Sequence, residues 1–526
     1  MLNERQIELL PERITRRLNK INAEYLERIG SVIKEIGELR PSDIHKLQQM
    51  YQYGSDGKKM AEKLAKASEK NIEEIYEMFD IVAKENYNYA KPFYKAKKKP
   101  FIKYEENEDL QKYVKSLAKQ TVDEYVNLTQ HTAFAVFAKD GKSIAPLFEN
   151  NKNKIATSLS DTYTKVIDYA VTKVQTGVTD YNSEMRSCLK ALADSGIKTV
   201  DYATGYSRRL DTAVRQNVLW GIKECNQNVA DMVGEEFGAN GYEISYHSHP
   251  RPSHEEMGGQ QYAIGKARTV NGVHYPSFSD VEPLLEDYGC LHFKFSILLG
   301  ISQPAYSKEQ LEELKAEDKK TFEFEGKEYT KYEASQLQRR IETAIRNQKD
   351  RAIIAKAAKD GGLELESYYK LNILSNKYAK ICEASGLPTK SERLNVKGFK
   401  WLKEKEKLLI IEQNRAILKE KIDSGEIKLE LNKEKQARHL MGSPDYKEGK
   451  SYFTISNDEI EAIIKKYSGT GRLLYDKNGM WQKKEHIYCD EVIGIDISNI
   501  NGKEYKTTAA TIHYSKTGTH LVPRKE

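Results

Sequence analysis

Apolar side chains recur every three or four residues through the first forty positions of this chain. The stripe consists of Ile7, Leu10, Ile14, Leu18, Ile21, Tyr25, Ile29, Val32, Ile36 and Leu39. Charged residues fill the positions between them, so the spacing predicts one long amphipathic helix with a single apolar face. Such a helix is stable only when that face is covered, either by other helices of the same chain or by another copy in a homo-oligomer.

The whole chain is too long for one hydrophobic core. Its 526 residues predict three or four domains at ~150 residues per domain. No apolar run reaches the ~18 residues that a membrane-spanning helix needs, so no membrane segment is expected. The first residues lack the apolar stretch of a signal peptide, which predicts synthesis in a cytoplasm. The five cysteines are scattered singly, as is typical of reduced thiols, and we expect no cofactor.

Changes in sequence texture divide the chain into five segments. Helical periodicity predicts a helical region over 1–240 and another over 306–425, separated by a His-, Gly- and Pro-rich segment over 241–305. Residues 426–434 alternate in charge and are predicted to be a linker, and residues 435–526 are predicted to form a separate domain. The expected fold class is a mainly α body joined to an α+β domain with an antiparallel sheet.

Lysines and aromatic residues are interleaved over residues 87–104, within the first helical region. A run of this composition has two interpretations. It is either a solvated loop beside helices or a surface that follows a nucleic-acid backbone, which would make the protein a DNA-binding internal component.

Histidines are concentrated in the middle segment. His247 and His249 form a His-x-His pair, His254 follows, and Cys290 and His292 form a Cys-x-His pair. Imidazole and thiolate are ligands that zinc prefers, so these five side chains are candidate metal ligands. Their spacing matches no closed zinc motif, and the alternative is an irregular loop held by imidazole hydrogen bonds to backbone carbonyls.

The same segment carries a family resemblance. Ile-Ser-x-His at 244–247, Arg-Pro-x-His at 251–254, Tyr-Gly-Cys-x-His at 288–292 and Gly-Ile-Ser at 300–302 follow one another in this order. This order resembles the phage minor capsid proteins related to the F head-morphogenesis protein of phage Mu. The resemblance covers roughly residues 1–425. It implies a structural protein of the phage head, made in the bacterial host and located in the virion, with the portal and major capsid proteins as partners.

Local signals in the C-terminal domain predict a helix followed by an antiparallel meander. Ser456 and Glu459 form a capping-box pattern at the start of a helix predicted over Asn457–Tyr467. Strand-like runs follow at 472–475, 486–489, 492–498, 508–515 and 519–523. Asn-Gly at 501–502 and Thr-Gly at 517–518 supply the turn signals of hairpins.

One face of the last hairpin collects hydroxyls and imidazoles. Alternation along the strand at 508–515 places Thr511, His513 and Ser515 opposite the core face, and His520 lies on the returning strand. Cleavage of RNA without a metal needs a base for the 2′-hydroxyl, an acid for the 5′-oxygen and cations for the charged phosphorane. Histidine suits both proton transfers near neutral pH, so this face is a candidate active site.

Several blocks of the C-terminal domain also resemble a polymorphic-toxin nuclease family. They include Lys435-Gln436-x-x-His439, Gly469-Thr470-Gly471, Trp481-x-Lys483-Lys484-Glu485 and the run Ile-His-Tyr-Ser-Lys-x-Gly-x-His-x-Val-Pro at 512–523. The family is grouped with the barnase–EndoU–colicin–RelE fold of RNases. The resemblance therefore implies a metal-independent RNase with RNA as its substrate.

We predict His439 and His520 as the acid–base pair, with Lys484 and Lys516 on the phosphate. The further predicted catalytic residues are Glu485, as an alternative base, and His513 and Ser515, which orient or bind the substrate. The predicted substrate-binding residues are Lys435, Arg438, Lys450, Ser451 and Thr511. An acidic immunity protein is the expected protector of the producing cell. The alternative is a purely structural head protein whose C-terminal domain is an inactive docking module.

Overall fold

The structure is a computed structural model that describes residues 4–37, 56–130, 132–136, 155–158, 189–190, 192–194, 196–200, 207–287, 289–290, 292–475, 481–498 and 502–525. A mainly helical body precedes a C-terminal α+β domain with antiparallel sheets, which confirms the expected fold class. Among the described residues, none of the helices combines the length and the apolarity needed to span a bilayer.

Long helices build the body. The described helices are α1 (Glu4–Leu9), α2 (Glu12–Gly37), α3 (Asp56–Ala96), α4 (Glu108–Gln130), α5 (Leu210–Phe237), α6 (Glu282–Glu286), α7 (Lys308–Asp318), α8 (Lys331–Ala357), α9 (Gly361–Ser385), α10 (Ser391–Leu394) and α11 (Glu404–Asp423). The helix predicted at the start of the chain is interrupted at Leu10 and Pro11, because proline has no amide hydrogen to donate. The apolar face of α2 packs against α5 and α8 of the same chain, with Ile14 and Leu26 fully buried. The face is therefore covered within the chain, and a homo-oligomer remains a prediction.

Short strands interrupt the region predicted to be helical. A four-stranded antiparallel sheet in the order β2-β1-β3-β4 is made of β1 (Thr132–Val136), β2 (Ile155–Ser158), β3 (Lys198–Val200) and β4 (Ser207–Arg209). The helical prediction for residues 1–240 is wrong at these strands. Runs of three to five residues are too short to establish a two-residue period against the helical pattern that surrounds them.

The middle segment forms two small sheets beside α5. Its strands are β5 (Gly241–Ile244), β6 (Gln261–Ala263), β7 (Arg268–Val270), β8 (Val273–Tyr275) and β9 (Lys294–Ile297), arranged as β6-β5-β9 and β7-β8. Strand β9 packs along α5, where Ser296 donates a hydrogen bond to the Ala230 carbonyl at 2.6 Å. The hairpin of β10 (Thr321–Phe324) and β11 (Lys327–Thr330) then leads into α8.

The aromatic residues of the 87–104 run belong to the hydrophobic core. Tyr87 is 1% exposed and stacks on Phe101 with ring centroids 4.7 Å apart, and Tyr94 is also buried. The lysines at 95 and 97–99 point outward at the end of α3 and just after it. The aromatic rings of this run are buried or partly buried, so they do not offer an exposed surface on which nucleic-acid bases could stack. This arrangement favours the interpretation as a solvated surface segment over nucleic-acid binding.

The C-terminal domain has its own core. Helices α12 (Lys433–Ala437) and α13 (Asn457–Tyr467) accompany β12 (Tyr452–Phe453), β13 (Arg472–Tyr475), β14 (Trp481–Tyr488), β15 (Gly494–Ile497), β16 (Glu504–Thr507), β17 (Ala509–His513) and β18 (His520–Pro523). The strands form antiparallel sheets in the orders β13-β14-β17-β18 and β12-β15-β16. The predicted helix and its capping box are present: Ser456 accepts from the Glu459 amide, and the Glu459 carboxylate accepts from the Ser456 amide.

The segment predicted to be a linker, residues 426–434, is instead part of this domain. Ile427 is 1% exposed in the domain core, and the Lys428 amide donates to the Ser515 carbonyl at 3.0 Å. The Asn432 amide donates to the Thr519 carbonyl at 2.8 Å. Ile427, Leu429 and Leu431 alternate with charged residues, and this two-residue period is that of an extended segment at a sheet edge.

The domain also rests on the body. The Glu366 carboxylate of α9, only 4% exposed, pairs with Arg472 of β13 at 3.0 Å and with Lys190 of the body at 3.2 Å. Tyr369 stacks on Tyr488 of β14 with ring centroids 6.0 Å apart. One patch of polar and aromatic contacts therefore joins α9 to β13 and β14.

Candidate active site

The sheet β13-β14-β17-β18 separates two sets of side chains. Lys484 lies opposite His513 in the register of β14 and β17, and His513 lies opposite His520 in the register of β17 and β18. Because directly paired residues of antiparallel strands point to the same side, these three side chains share one face. Ile512 and Leu521, which are adjacent in sequence to His513 and His520, are buried and pair with each other on the opposite, core face.

Gln436 brings a third histidine to this face. Its buried side chain accepts from the Leu521 amide at 2.8 Å and donates to the Leu521 carbonyl at 3.3 Å. These two bonds tie α12 to β18, and the His439 ring lies parallel to that of His520 with centroids 6.1 Å apart and an interplanar angle of 10°. The His513 and His520 centroids are 4.9 Å apart. Gln436 was not among the predicted site residues, and the only sequence signal for it was its place in the Lys435–His439 block.

Cations surround the three imidazoles. Lys435 donates to the hydroxyls of Ser515 and Thr517, both at 3.1 Å, and Arg438 is exposed on the same turn as His439. Lys484 acts on His513, Lys435 and Arg438 act on His520, and Arg438 acts on His439. Lys516 is exposed at the tip of the hairpin. The face therefore places several cations beside the three imidazoles.

This environment disfavours protonated histidine. Burial and the Lys484 ammonium lower the pKa of His513 to about 4. Burial and the neighbouring His513 and His439 rings lower the pKa of His520 to about 4, and burial lowers the pKa of His439 as well. The His520 Nδ1 atom is buried without a hydrogen-bond partner among the described residues. The rings are consequently neutral near pH 7 until an anion enters.

Glu485, predicted as an alternative base, is not brought to the histidines. It lies on the core face of β14, fully buried, and accepts hydrogen bonds from the Gly469 amide at 2.9 Å, the Gly471 amide at 2.6 Å and the Tyr514 hydroxyl. Burial raises its pKa to about 7. Neighbouring residues of a strand point to opposite faces of the sheet, so Glu485 points away from the face that carries Lys484. Its carboxylate holds the 469–471 turn instead.

Three predicted substrate-binding residues lie at the margin of the cluster. Thr511 is 9% exposed and lies in register between His486 and Val522. The Ser451 hydroxyl donates to Asp496 at 3.1 Å, although its backbone hydrogen-bonds with the His439 ring. Lys450 is exposed on the loop before it. The structure therefore brings together His439, His513, His520, Lys435, Arg438, Lys484 and Ser515.

The five candidate metal ligands of the middle segment do not all come together. His254, Cys290 and His292 are buried together, with potential ligand atoms within 4.8 Å of one another. His249 is drawn to Asp318 at 2.9 Å, and His247 lies 2.6 Å from Glu4. His249 thus belongs to a separate polar contact with α7.

Residues 2–379 match the family model of phage minor capsid protein 2. The chain belongs to this family. Residues 431–523 match the model of bacterial toxin 50, so this minor capsid protein is a virion component that carries a toxin domain. The resemblances to phage minor capsid proteins and to a toxin family, inferred from sequence motifs, are thereby confirmed. Comparison with curated proteins and with solved structures gives no match.

Proposed function

We propose that the toxin domain of this minor capsid protein cleaves RNA without a metal ion, using His439 and His520 as its acid–base pair. The observation that carries the proposal is the set of three imidazoles and their neighbouring cations on one face of the sheet. Two proton-transfer groups and a positive surface are what phosphodiester cleavage requires. An anionic substrate is favoured because Lys435, Arg438 and Lys484 lie beside the rings.

The proposed reaction is an internal transesterification. One neutral imidazole accepts the proton of the ribose 2′-hydroxyl, and the 2′-oxygen forms a bond to phosphorus. The bond from phosphorus to the 5′-oxygen breaks, and the second histidine, protonated, donates its proton to that leaving oxygen. The products are a 2′,3′-cyclic phosphate and a 5′-hydroxyl. Lys435, Arg438 and Lys484 stabilise the charge on the phosphorane, and His513 supports His520 from the neighbouring strand.

Substrate binding is expected to protonate one of the three histidines. All three rings are neutral in the free protein near pH 7, yet the reaction needs one of them protonated. A bound phosphate places negative charge beside the rings and raises the pKa of the nearest one. Substrate binding therefore completes the acid–base pair.

Cleavage of a short RNA by the full-length protein in EDTA tests the proposal. We expect 2′,3′-cyclic phosphate ends, no cleavage of the 2′-O-methyl form of the same RNA, and a rate loss of about 10²-fold or more for His439→Ala and for His520→Ala. His274→Ala is the matched control, since His274 is exposed in the body and distant in sequence. Equal cleavage by His520→Ala, or a requirement for Mg²⁺, would contradict the mechanism.

Two sets of partners accompany this function. We propose the portal and major capsid proteins as neighbours of the body in the phage head. An acidic immunity protein would cover the cationic face in the producing cell. Expression of the full chain should then arrest bacterial growth while His520→Ala should not. Growth arrest by both proteins would mean that the toxicity has another origin.

The competing function is an inactive docking module. The contacts of Glu366 and Tyr369 with the toxin domain favour a fixed position on the body, as a structural role would require. The RNA assay separates the two functions, because a docking module cleaves no RNA and is indifferent to His520→Ala.

A further inference from the structure

The buried cluster His254–Cys290–His292 has the composition of a zinc site. The side chains of these residues are 2%, 4% and 1% exposed, respectively. They come from the short helical turn at 252–254 and from the residues that precede β9, so the cluster joins two parts of the middle segment. Among the described residues, it is the group of three or more potential ligands whose atoms lie within 4.8 Å of one another.

The spacings within the cluster suit a tetrahedral ion. Cys290 Sγ lies 3.5 Å from His292 Nδ1. In a tetrahedral site with Zn–S of about 2.3 Å and Zn–N of about 2.1 Å, these two ligand atoms are about 3.6 Å apart. His254 Nε2 lies 3.2 Å from Asp287 Oδ2, and a carboxylate in this position orients the ring and leaves its other nitrogen for the ion. Cys290 and His292 are thus already at ligand spacing.

His292 supplies an independent indication. Its Nε2 atom is buried and has no hydrogen-bond partner in the described part of the chain, while Nδ1 faces the Cys290 sulfur. A buried imidazole normally satisfies both nitrogens, so one unpartnered nitrogen on a 1%-exposed ring is costly. Coordination through Nε2 would satisfy this atom directly, whereas coordination through Nδ1 would fix the proton on Nε2.

We propose that this minor capsid protein binds one Zn²⁺ ion through His254, Cys290 and His292. Two imidazoles and a thiolate form a donor set that zinc prefers over magnesium or calcium. The ion is structural: it fastens the 252–254 turn to the start of β9, which itself packs on α5. Lys223 of α5 contacts Cys290 and donates to the Leu285 carbonyl, so the cluster is also tied to α5.

Metal titration of the full-length protein tests the site. Protein treated with chelator under reducing conditions should bind one equivalent of Zn²⁺ and unfold at a higher temperature when loaded. Cys290→Ser and His254→Ala should each weaken binding by at least about tenfold. Cys382→Ser, at a buried cysteine outside the cluster, and His274→Ala, at an exposed histidine of the same segment, should bind as the wild type does.

Cobalt provides a measurement that does not depend on any variant folding. Co²⁺ bound to the wild-type protein should give the ligand-field bands of a tetrahedral ion and a thiolate-to-cobalt charge-transfer band. Substoichiometric zinc binding by the wild type, a cobalt spectrum without the thiolate band, or unchanged zinc affinity in folded Cys290→Ser would overturn the proposal.

Discussion

At the scale of single residues, the toxin domain shows how environment decides what a histidine does. His513 and His486 lie on the same side of the sheet, two residues from each other in register. His486 is packed beside Arg472 and Arg524, and burial and these cations lower its pKa to about 2. His513 instead adjoins His520 and the half-exposed Lys484. The neighbours that each ring meets along the strands, and not residue type, therefore distinguish the packing histidine from the site histidine.

The lowered pKa values predict the pH dependence of RNA cleavage. Above the pKa of about 4 of His520, the neutral base is always present and the protonated acid becomes rarer as the pH rises. Since kcat/KM reports the free protein, we expect it to rise as the pH is lowered from 8 towards 5, by up to about tenfold per unit. Initial rates at low substrate concentration in EDTA measure the profile.

The control for this profile is circular dichroism across the same pH range, so that unfolding in acid is not mistaken for titration. A kcat/KM that is constant between pH 5 and 8 would show that the acid is not one of these histidines. A lysine such as Lys484 would then be the proton donor.

At the scale of secondary-structure elements, the sequence predicts regular segments better than the way they meet. The capping box at Ser456 placed α13 correctly, and alternation placed Ala510, Ile512 and Tyr514 in the core. These signals depend on neighbours in the sequence. The 426–434 segment was misjudged because its partners, Ser515 and Thr519, lie almost ninety residues away.

The same limitation applies to the candidate site. The sequence contained His439, His513 and His520 but not the reason they converge. His439 is positioned by the two hydrogen bonds of Gln436 to Leu521, a contact between distant parts of the chain. Glu485 was grouped with Lys484 because they are adjacent in sequence, and adjacency on a strand places side chains on opposite faces.

The Gln436→Ala variant tests whether the hydrogen bonds of Gln436 position His439 for catalysis. The Leu521 amide and carbonyl lose their partners, which costs about 1–3 kcal/mol of stability per unsatisfied group. With α12 released from β18, we expect kcat/KM for RNA to fall by about tenfold or more per folded molecule, since small misplacements of catalytic groups are costly. Thermal unfolding and initial rates measure the two effects.

Gln413→Ala, at an exposed position of α11, is the matched control and should change neither quantity. If Gln436→Ala lowers the unfolding temperature but leaves the rate per folded molecule unchanged, the hydrogen bonds hold the domain together without positioning His439.

At the scale of the whole molecule, the toxin domain is joined to the capsid body by more than the chain itself. Glu366 lies between Arg472 of the toxin domain and Lys190 of the body, and the two cations hold its pKa well below the ordinary value despite burial. Tyr369 adds a hydrogen bond to the Thr470 carbonyl at 3.1 Å. The contact patch uses Arg472, His486 and Tyr488, and so leaves the His513–His520 end of the face uncovered.

Replacing Glu366 with alanine should release the domain without disabling it. A buried carboxylate removed from between two cations leaves them unpaired, at a cost of about 3 kcal/mol. Hydrogen exchange of the 469–471 turn and of β14 should accelerate, whereas Glu420→Ala, at an exposed carboxylate of α11, should leave it unchanged. RNA cleavage should stay within about threefold of the wild type. The contact patch and the histidine cluster are separated by two residues along the strands, roughly 7 Å, so the catalytic histidines are not part of the contact that the substitution breaks. A rise of tenfold or more on release would show that the body holds the toxin inhibited, and the docked arrangement would then be the resting state of the virion protein.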